Sequence, residues 1–200
     1  MESFVIVGLG NPGDGYADTR HNAGRMVVER LHDIFRCSDW EFDDEAKALY
    51  AEGEVANAFV ELLLPETYMN RSGNALKPLM RERELEGTDW LIVVYDDIDL
   101  PLGTMKISHG RGSGGHKGVD SIIRTIGTRY FTRVRIGISE PLRGGGAKKP
   151  VGEERVTEFL LSPFRRKERT IIADIAPVVG EALETLITDG RDKAMSLYND

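Results

Sequence analysis

The chain has 200 residues and a mass of 22.3 kDa, with 40% hydrophobic and 30% charged residues, values that exclude a disordered tail, a collagen-like repeat and a disulfide scaffold. One cysteine, Cys37, rules out an intrachain disulfide and a multi-cysteine zinc site and fits a reducing compartment. The net charge of −7 argues against general affinity for nucleic acid, yet the stretch from Gly103 to Arg135 carries seven bases against Asp120 alone, a balance of +6 that leaves −13 on the rest. Such segregation suits either one anionic ligand or a merely solvated face. Apolar runs such as Trp90 to Val94 fall far short of the roughly 20 residues that span a bilayer. The N-terminus enters the apolar run Phe4 to Val7 with no cationic presequence, so a cytoplasmic protein without membrane contact is expected.

In chain order, Phe4 to Val7 reads as a strand ending at Gly8, and Met26, Val27, Leu31, Ile34 and Phe35 recur at helical spacing behind it. Asp39 to Glu45 is acidic and turn-like. Leu49 to Glu54 and Ala58 to Leu64 form a β-hairpin joined at Val55-Ala56-Asn57. Asn70 or Ser72 is expected to cap a helix carrying Leu76, Leu79 and Met80, with Pro78 admissible only in its first turns. Leu91 to Tyr95 is a buried strand ended by Asp96-Asp97. Thr104 to Ser108 is a strand, Val119 to Ile126 a helix with Ile122, Ile123 and Ile126 inward, and Arg133 to Ile138 an alternating strand. Pro141 to Gly152 reads as loop, followed by helices over Arg165 to Thr188 and Lys193 to Tyr198. Alternating strands and helices with one early hairpin predict a single α/β domain over residues 1–200, with a twisted mixed sheet flanked by helices.

Gly8-Leu9-Gly10-Asn11-Pro12-Gly13 matches GxGxxG after a strand, but Pro12, Gly13 and Gly15 break the helix a dinucleotide site needs, and no acidic residue ends a second strand about 20 residues on. The glycines instead fit a tight loop that brings Asn11 to the Thr19-Arg20-His21-Asn22 segment. His21, between polar neighbours, is a candidate base. Asp96 follows a buried strand at the edge where open α/β sheets place their ligand crevice, and a carboxylate there can orient a histidine. Asp97 and Asp99 are rivals that spacing does not separate. The Gly110 to Gly118 loop precedes a helix like an anion cradle but lacks the GK[ST] ending of a P-loop. His109 and His116 lack metal-ligand spacing, and no GxSxG nucleophile exists, so no metal or cofactor is expected and water activated by His21 is the reading that is left.

Five segments, in order, carry a resemblance: Gly8 to Gly13; Tyr16 with Thr19-Arg20-His21-Asn22-x-Gly24; Pro65-x-Thr67-Tyr68-Met69-Asn70-x-Ser72-Gly73; Asp96-Asp97-Ile98-Asp99-Leu100-Pro101-x-Gly103; and Gly114-Gly115-His116-x-Gly118. The chain resembles the bacterial peptidyl-tRNA hydrolases over nearly its whole length. The resemblance implies a monomeric, metal-independent esterase that frees tRNA from peptidyl-tRNA dropped by stalled ribosomes. It implies His21 as general base, Asp96 as its orienting partner, and Asn11, Asn70 and His116 as groups that position water and substrate. Asp96→Asn is then expected to be milder than His21→Ala. Tyr16 and Met69 would supply an apolar wall, and Lys106 and Arg135 would hold acceptor-stem phosphates near the CCA end.

Two departures stand out: Lys117 occupies a position where that family usually has asparagine, and the loop from Leu142 to Glu154 is long. A non-hydrolytic RNA-processing scaffold on the same fold is the alternative. Intact positions 11, 21, 70, 96 and 116 favour the enzyme, and dinucleotide binding at the Gly8 to Gly13 loop would reveal an oxidoreductase instead.

Overall fold

The structure is a computed structural model that describes residues 2–82 and 87–199. Its frame is one sheet in the order β2 (Glu41–Asp43), β3 (Ala48–Val55), β4 (Ala58–Pro65), β1 (Ser3–Gly8), β5 (Leu91–Pro101), β7 (Thr132–Pro141) and β6 (Met105–His109), with β8 (Ala147–Lys148) paired to the end of β7. The four central strands β4, β1, β5 and β7 run parallel, and the flanking pairs are antiparallel. The β3–β4 hairpin turns at Ala56 and Asn57, both at positive φ, as a two-residue connection with the right-handed strand twist requires.

Central strands read as unbroken apolar runs because helices cover both faces. In β1, Ile6 faces a core shared with α1 (Ala23–Phe35) and α5 (Arg166–Asp189), through Val28, Leu31, Val179 and Leu183. Val5 and Val7 face the opposite core, with Met69, Leu76, Val119, Ile122 and Phe131, under a 3-10 segment (Met69–Leu76), α2 (Lys77–Glu82) and α3 (Lys117–Ile126). The chain end closes the β6 edge, where the Asn199 side chain accepts from Ile107 N at 2.6 Å and donates to Ile107 O at 2.9 Å.

Several elements differ from the sequence reading. Glu41–Asp43, expected as a turn, is an edge strand. The helix expected from Asn70 or Ser72 begins at Met69 as 3-10 turns without a side-chain cap, and Pro78 lies in the first turn of α2. β5 runs on to Pro101 through a register shift after Asp97, so Asp96 lies inside the strand rather than ending it. In α1 Ile34 is exposed while Val28 is buried, and in α3 Ile123 and Ile126 are only half-buried. β7 does not alternate between core and solvent: Arg133 is fully buried. The loop after Pro141 contains β8, and α4 (Glu153–Leu161) follows it, which the sequence reading left out.

Gly24 shows how tightly α1 meets the sheet. A Cβ there would lie 2.2 Å from the Val94 carbonyl oxygen of β5, a contact no side-chain rotation relieves. Gly24→Ala is expected to cost about 3 kcal/mol or more by overpacking, read as a lower urea midpoint. A midpoint unchanged from the parent would show that α1 can move away without cost.

Candidate active site

The C-terminal ends of β1 and β5 open into a cleft of about 610 Å³, the place where parallel sheets seat ligands. His21 comes from a 3-10 turn (Arg20–Asn22) leading into α1. Arg20 anchors that turn: its guanidinium donates to both Glu168 oxygens at 2.9 and 2.8 Å and to Ile138 O at 3.2 Å, and it lies 4.8 Å from the centroids of Phe159 and Phe164. Asn22 fixes the neighbouring loop, accepting from Asn11 N at 2.8 Å and donating to Asn11 O at 2.9 Å. The glycine loop is thereby locked to the histidine turn.

His21 Nδ1 is 3.0 Å from each oxygen of the buried Asp96 carboxylate, and His116 Nε2 is 2.9 Å from Asp96 Oδ1. His116 is also the N-cap of α3, its Nδ1 accepting from Gly118 N at 3.2 Å and Val119 N at 3.3 Å. An Nδ1 that accepts two amide hydrogens carries no proton, so the His116 proton is on Nε2 and is donated to Asp96. Neither His116 nitrogen is left for water or substrate, and the ring orients Asp96 instead. The same contacts occupy the Gly118 and Val119 amides at the start of α3, two of the donors that an anion cradle there would use.

Asp96 accepts the Nδ1–H of His21, which leaves Nε2 as the basic nitrogen on a residue lining the cleft. Burial alone pulls the His21 imidazolium down, but the Asp96 charge and hydrogen bond outweigh it and the net shift is upward, with Lys117 opposing. Burial pushes the Asp96 carboxyl up, yet the two histidines reverse this and hold it well below the usual carboxylate range. His21, Asp96 and His116 offer ligand atoms within 4.8 Å of one another, a set that has the elements of a metal site. Here those atoms satisfy each other instead, through hydrogen bonds to the shared carboxylate.

Asn11 Oδ1 accepts from Met69 N at 2.8 Å, which fixes the amide so that its Nδ2, without a partner among the described residues, is a donor on the cleft wall. Asn70, Met69, Lys117 and Arg135 line the same cleft. Arg135 Nε donates to Asp97 Oδ2 at 2.6 Å, and Asp99 pairs with Lys149, so both rivals of Asp96 are occupied elsewhere. Two expected binding residues lie off the wall. Tyr16 meets Tyr68 edge-on, centroids 6.2 Å apart, and it is Tyr68 that lines the cleft. Lys106 Nζ donates to Asn199 O at 2.9 Å.

Residues the sequence reading did not single out complete the site. Val156, Thr157, Leu160 and Leu161 of α4 form one wall, and their helical spacing behind Glu153-Glu154 was the available signal. Arg133 donates to the carbonyls of Arg111 and Gly112 and lies 4.5 Å from the Phe131 centroid, so it ties down the glycine-rich loop from below.

A family model described as peptidyl-tRNA hydrolase matches residues 5–200. The chain belongs to that family. It is 41% identical over 197 residues to the peptidyl-tRNA hydrolase of Thermodesulfovibrio yellowstonii, covering 98% of each chain. With that of Pseudothermotoga lettingae it shares 40% over 195 residues, covering 98% of this chain and 96% of the other. Among solved structures, peptidyl-tRNA hydrolase from Acinetobacter baumannii superposes with a TM-score of 0.86 at 31% identity, over 98% of this chain and 94% of that one. The family's fold is therefore the mixed sheet flanked by helices described above, and none of the described helices is long and apolar enough to cross a membrane.

Proposed function

We propose that this peptidyl-tRNA hydrolase cleaves the ester between peptide and tRNA with a water activated by His21. The observation that carries the reading is the His21 Nδ1 to Asp96 bond, which leaves Nε2 basic on the cleft wall. Nε2 takes a proton from water as the oxygen attacks the peptide carbonyl, and the imidazolium returns it to the departing ribose oxygen. Nδ2 of Asn11, joined by the Asn70 amide, donates to the oxyanion, a contribution of about 3 kcal/mol. His116 keeps Asp96 aligned and ionised. Met69, Tyr68 and the apolar residues of α4 flank the peptide or terminal base, and Arg135 and Lys117 face the phosphates. The reading extends to a single domain over residues 1–200, a cytoplasmic monomer that takes tRNA by its acceptor stem and CCA end and returns it to translation.

The test is incubation of the purified protein with N-acetylaminoacyl-tRNA, with release of free tRNA and the N-acetylamino acid as the expected result. Recovery of intact substrate would sink the reading. EDTA is expected to leave the rate unchanged, because the triad's ligand atoms are bonded to each other. Complete loss on chelation, restored by zinc or magnesium, would place a metal on His21, Asp96 and His116 and remove His21 as the base.

A further inference from the structure

A second groove opens beside the catalytic cleft, between the 3-10 segment with α2 on one side and α3 on the other, and Asn70 lines both. Arg71, Lys77, Arg81 and Arg124 line it, and no acidic residue is on its walls among the described residues. Arg81 pairs with Glu45 in an exposed contact, which is weak. Arg71, Lys77 and Arg124 are exposed and make no ion pair among the described residues.

Backbone geometry aligns these charges. In a 3-10 helix residues three apart eclipse, so Arg71 and Asn74 share one edge of the segment, and Lys77, the first residue of α2, follows three residues further on along the same groove. In α3, Lys117, Ser121 and Arg124 share one face at spacings of four and three. That face begins at the cleft with Lys117 and reaches Arg124 about 10 Å further on. The result is a cationic track that starts beside the catalytic residues and leads away from them.

We propose that this track binds the phosphodiester backbone of the RNA part of the substrate, from Lys117 through Arg124 and Arg71 to Lys77. The inference rests on the reading that the substrate is a peptidyl-tRNA. Helices form both walls, so no strand edge is available to pair with a peptide main chain. Apart from Met80 the lining is polar, which leaves no row of pockets for apolar side chains. Asn70 and Asn74 between the cations suit phosphate and sugar oxygens. The net charge of −7 repels RNA from the remaining surface and so favours the track as its register. Of the basic segment noted in the sequence, Arg133 is committed to loop carbonyls and Lys106 to the Asn199 carbonyl, whereas Arg124 makes no ion pair among the described residues.

The test is the exposed triple variant R71Q/K77Q/R124Q, compared with the parent on N-acetylaminoacyl-tRNA and on 3′-O-(N-acetylaminoacyl)adenosine, an ester with no phosphate. On the nucleoside ester the two are expected to be equal. On the tRNA ester the variant KM should rise about tenfold or more at low salt, and the log-log dependence of kcat/KM on salt should become shallower by about 2. Anisotropy with uncharged tRNA should weaken by the same factor. Unchanged KM, slope and tRNA binding would overturn the track and leave the hydrolase reading standing. An altered preference among peptides at constant slope would assign the groove to the peptide and also overturn it. If the parent cleaves neither ester, the hydrolase reading fails, and tRNA binding by the two proteins still decides the track.

Discussion

His21→Ala is expected to lower kcat on N-acetylaminoacyl-tRNA by about 10²- to 10⁴-fold, the range a general base contributes. No neighbouring group can substitute. His116 has both nitrogens engaged, Asp96 has two histidines donating to its carboxylate, and Asn11 and Asn70 are not bases. The KM should change little, because the substrate contacts assigned to Asn70, Met69, Lys117 and Arg135 are on other elements. Asp96 keeps His116 as a partner, so the fold should survive with a loss of about 1–3 kcal/mol for the missing buried hydrogen bond, visible in a denaturant titration. Added imidazole should restore part of the rate by occupying the space the ring leaves. A His21→Ala protein with more than about a tenth of parental kcat and native circular dichroism would end the assignment of His21 as the base.

The sequence made the parallel strands, the hairpin and α5 legible because burial on both faces or at a regular period leaves a plain apolar pattern. Residue chemistry brought Asn11 to the His21 segment and offered Asp96 beside Asp97 and Asp99 without choosing among them, whereas Asn70 and His116 joined the set only through the family resemblance. The choice is made by partners far apart in the chain: Arg135 takes Asp97 and Lys149 takes Asp99. Charge was the least legible property. Arg133 looks like surface in a basic run, yet it is buried under a loop whose carbonyls accept its hydrogens, and Lys106 is bound to the chain end. Helix α4 escaped notice because it has no fully buried residue and its apolar side faces the cleft, so its pattern is diluted. The 3-10 segment carries the apolar spacing of an ordinary helix, and the tighter winding decides which of its residues share a face.

Asp96→Asn, a mild change on sequence grounds, is expected to cost nearly as much as removing the base itself. His116 is the reason. Its proton is pinned to Nε2 by the amides of α3, so the residue at position 96 must present an acceptor to it. The asparagine oxygen takes that role at the Oδ1 position, which turns the NH₂ group toward His21 Nδ1, where Asp96 Oδ2 now lies 3.0 Å away. That amide donates to Nδ1 and forces the imidazole proton onto Nε2, the atom that must accept from water. A wrong tautomer of this kind costs on the order of 10⁴ in kcat in serine protease triads, and about 10³- to 10⁴-fold is expected here. The pH profile adds a second readout. The neutral imidazole is the active form, so kcat/KM is full above the His21 pKa and falls below it. Burial and Lys117 pull that pKa down, and only the Asp96 charge and hydrogen bond hold it above its ordinary value. Without the carboxylate the acidic limb must move to lower pH even as the plateau drops. An Asp96→Asn protein within about tenfold of the parent, with its limb unmoved, would disconnect the pair and leave His21 acting without an orienting carboxylate.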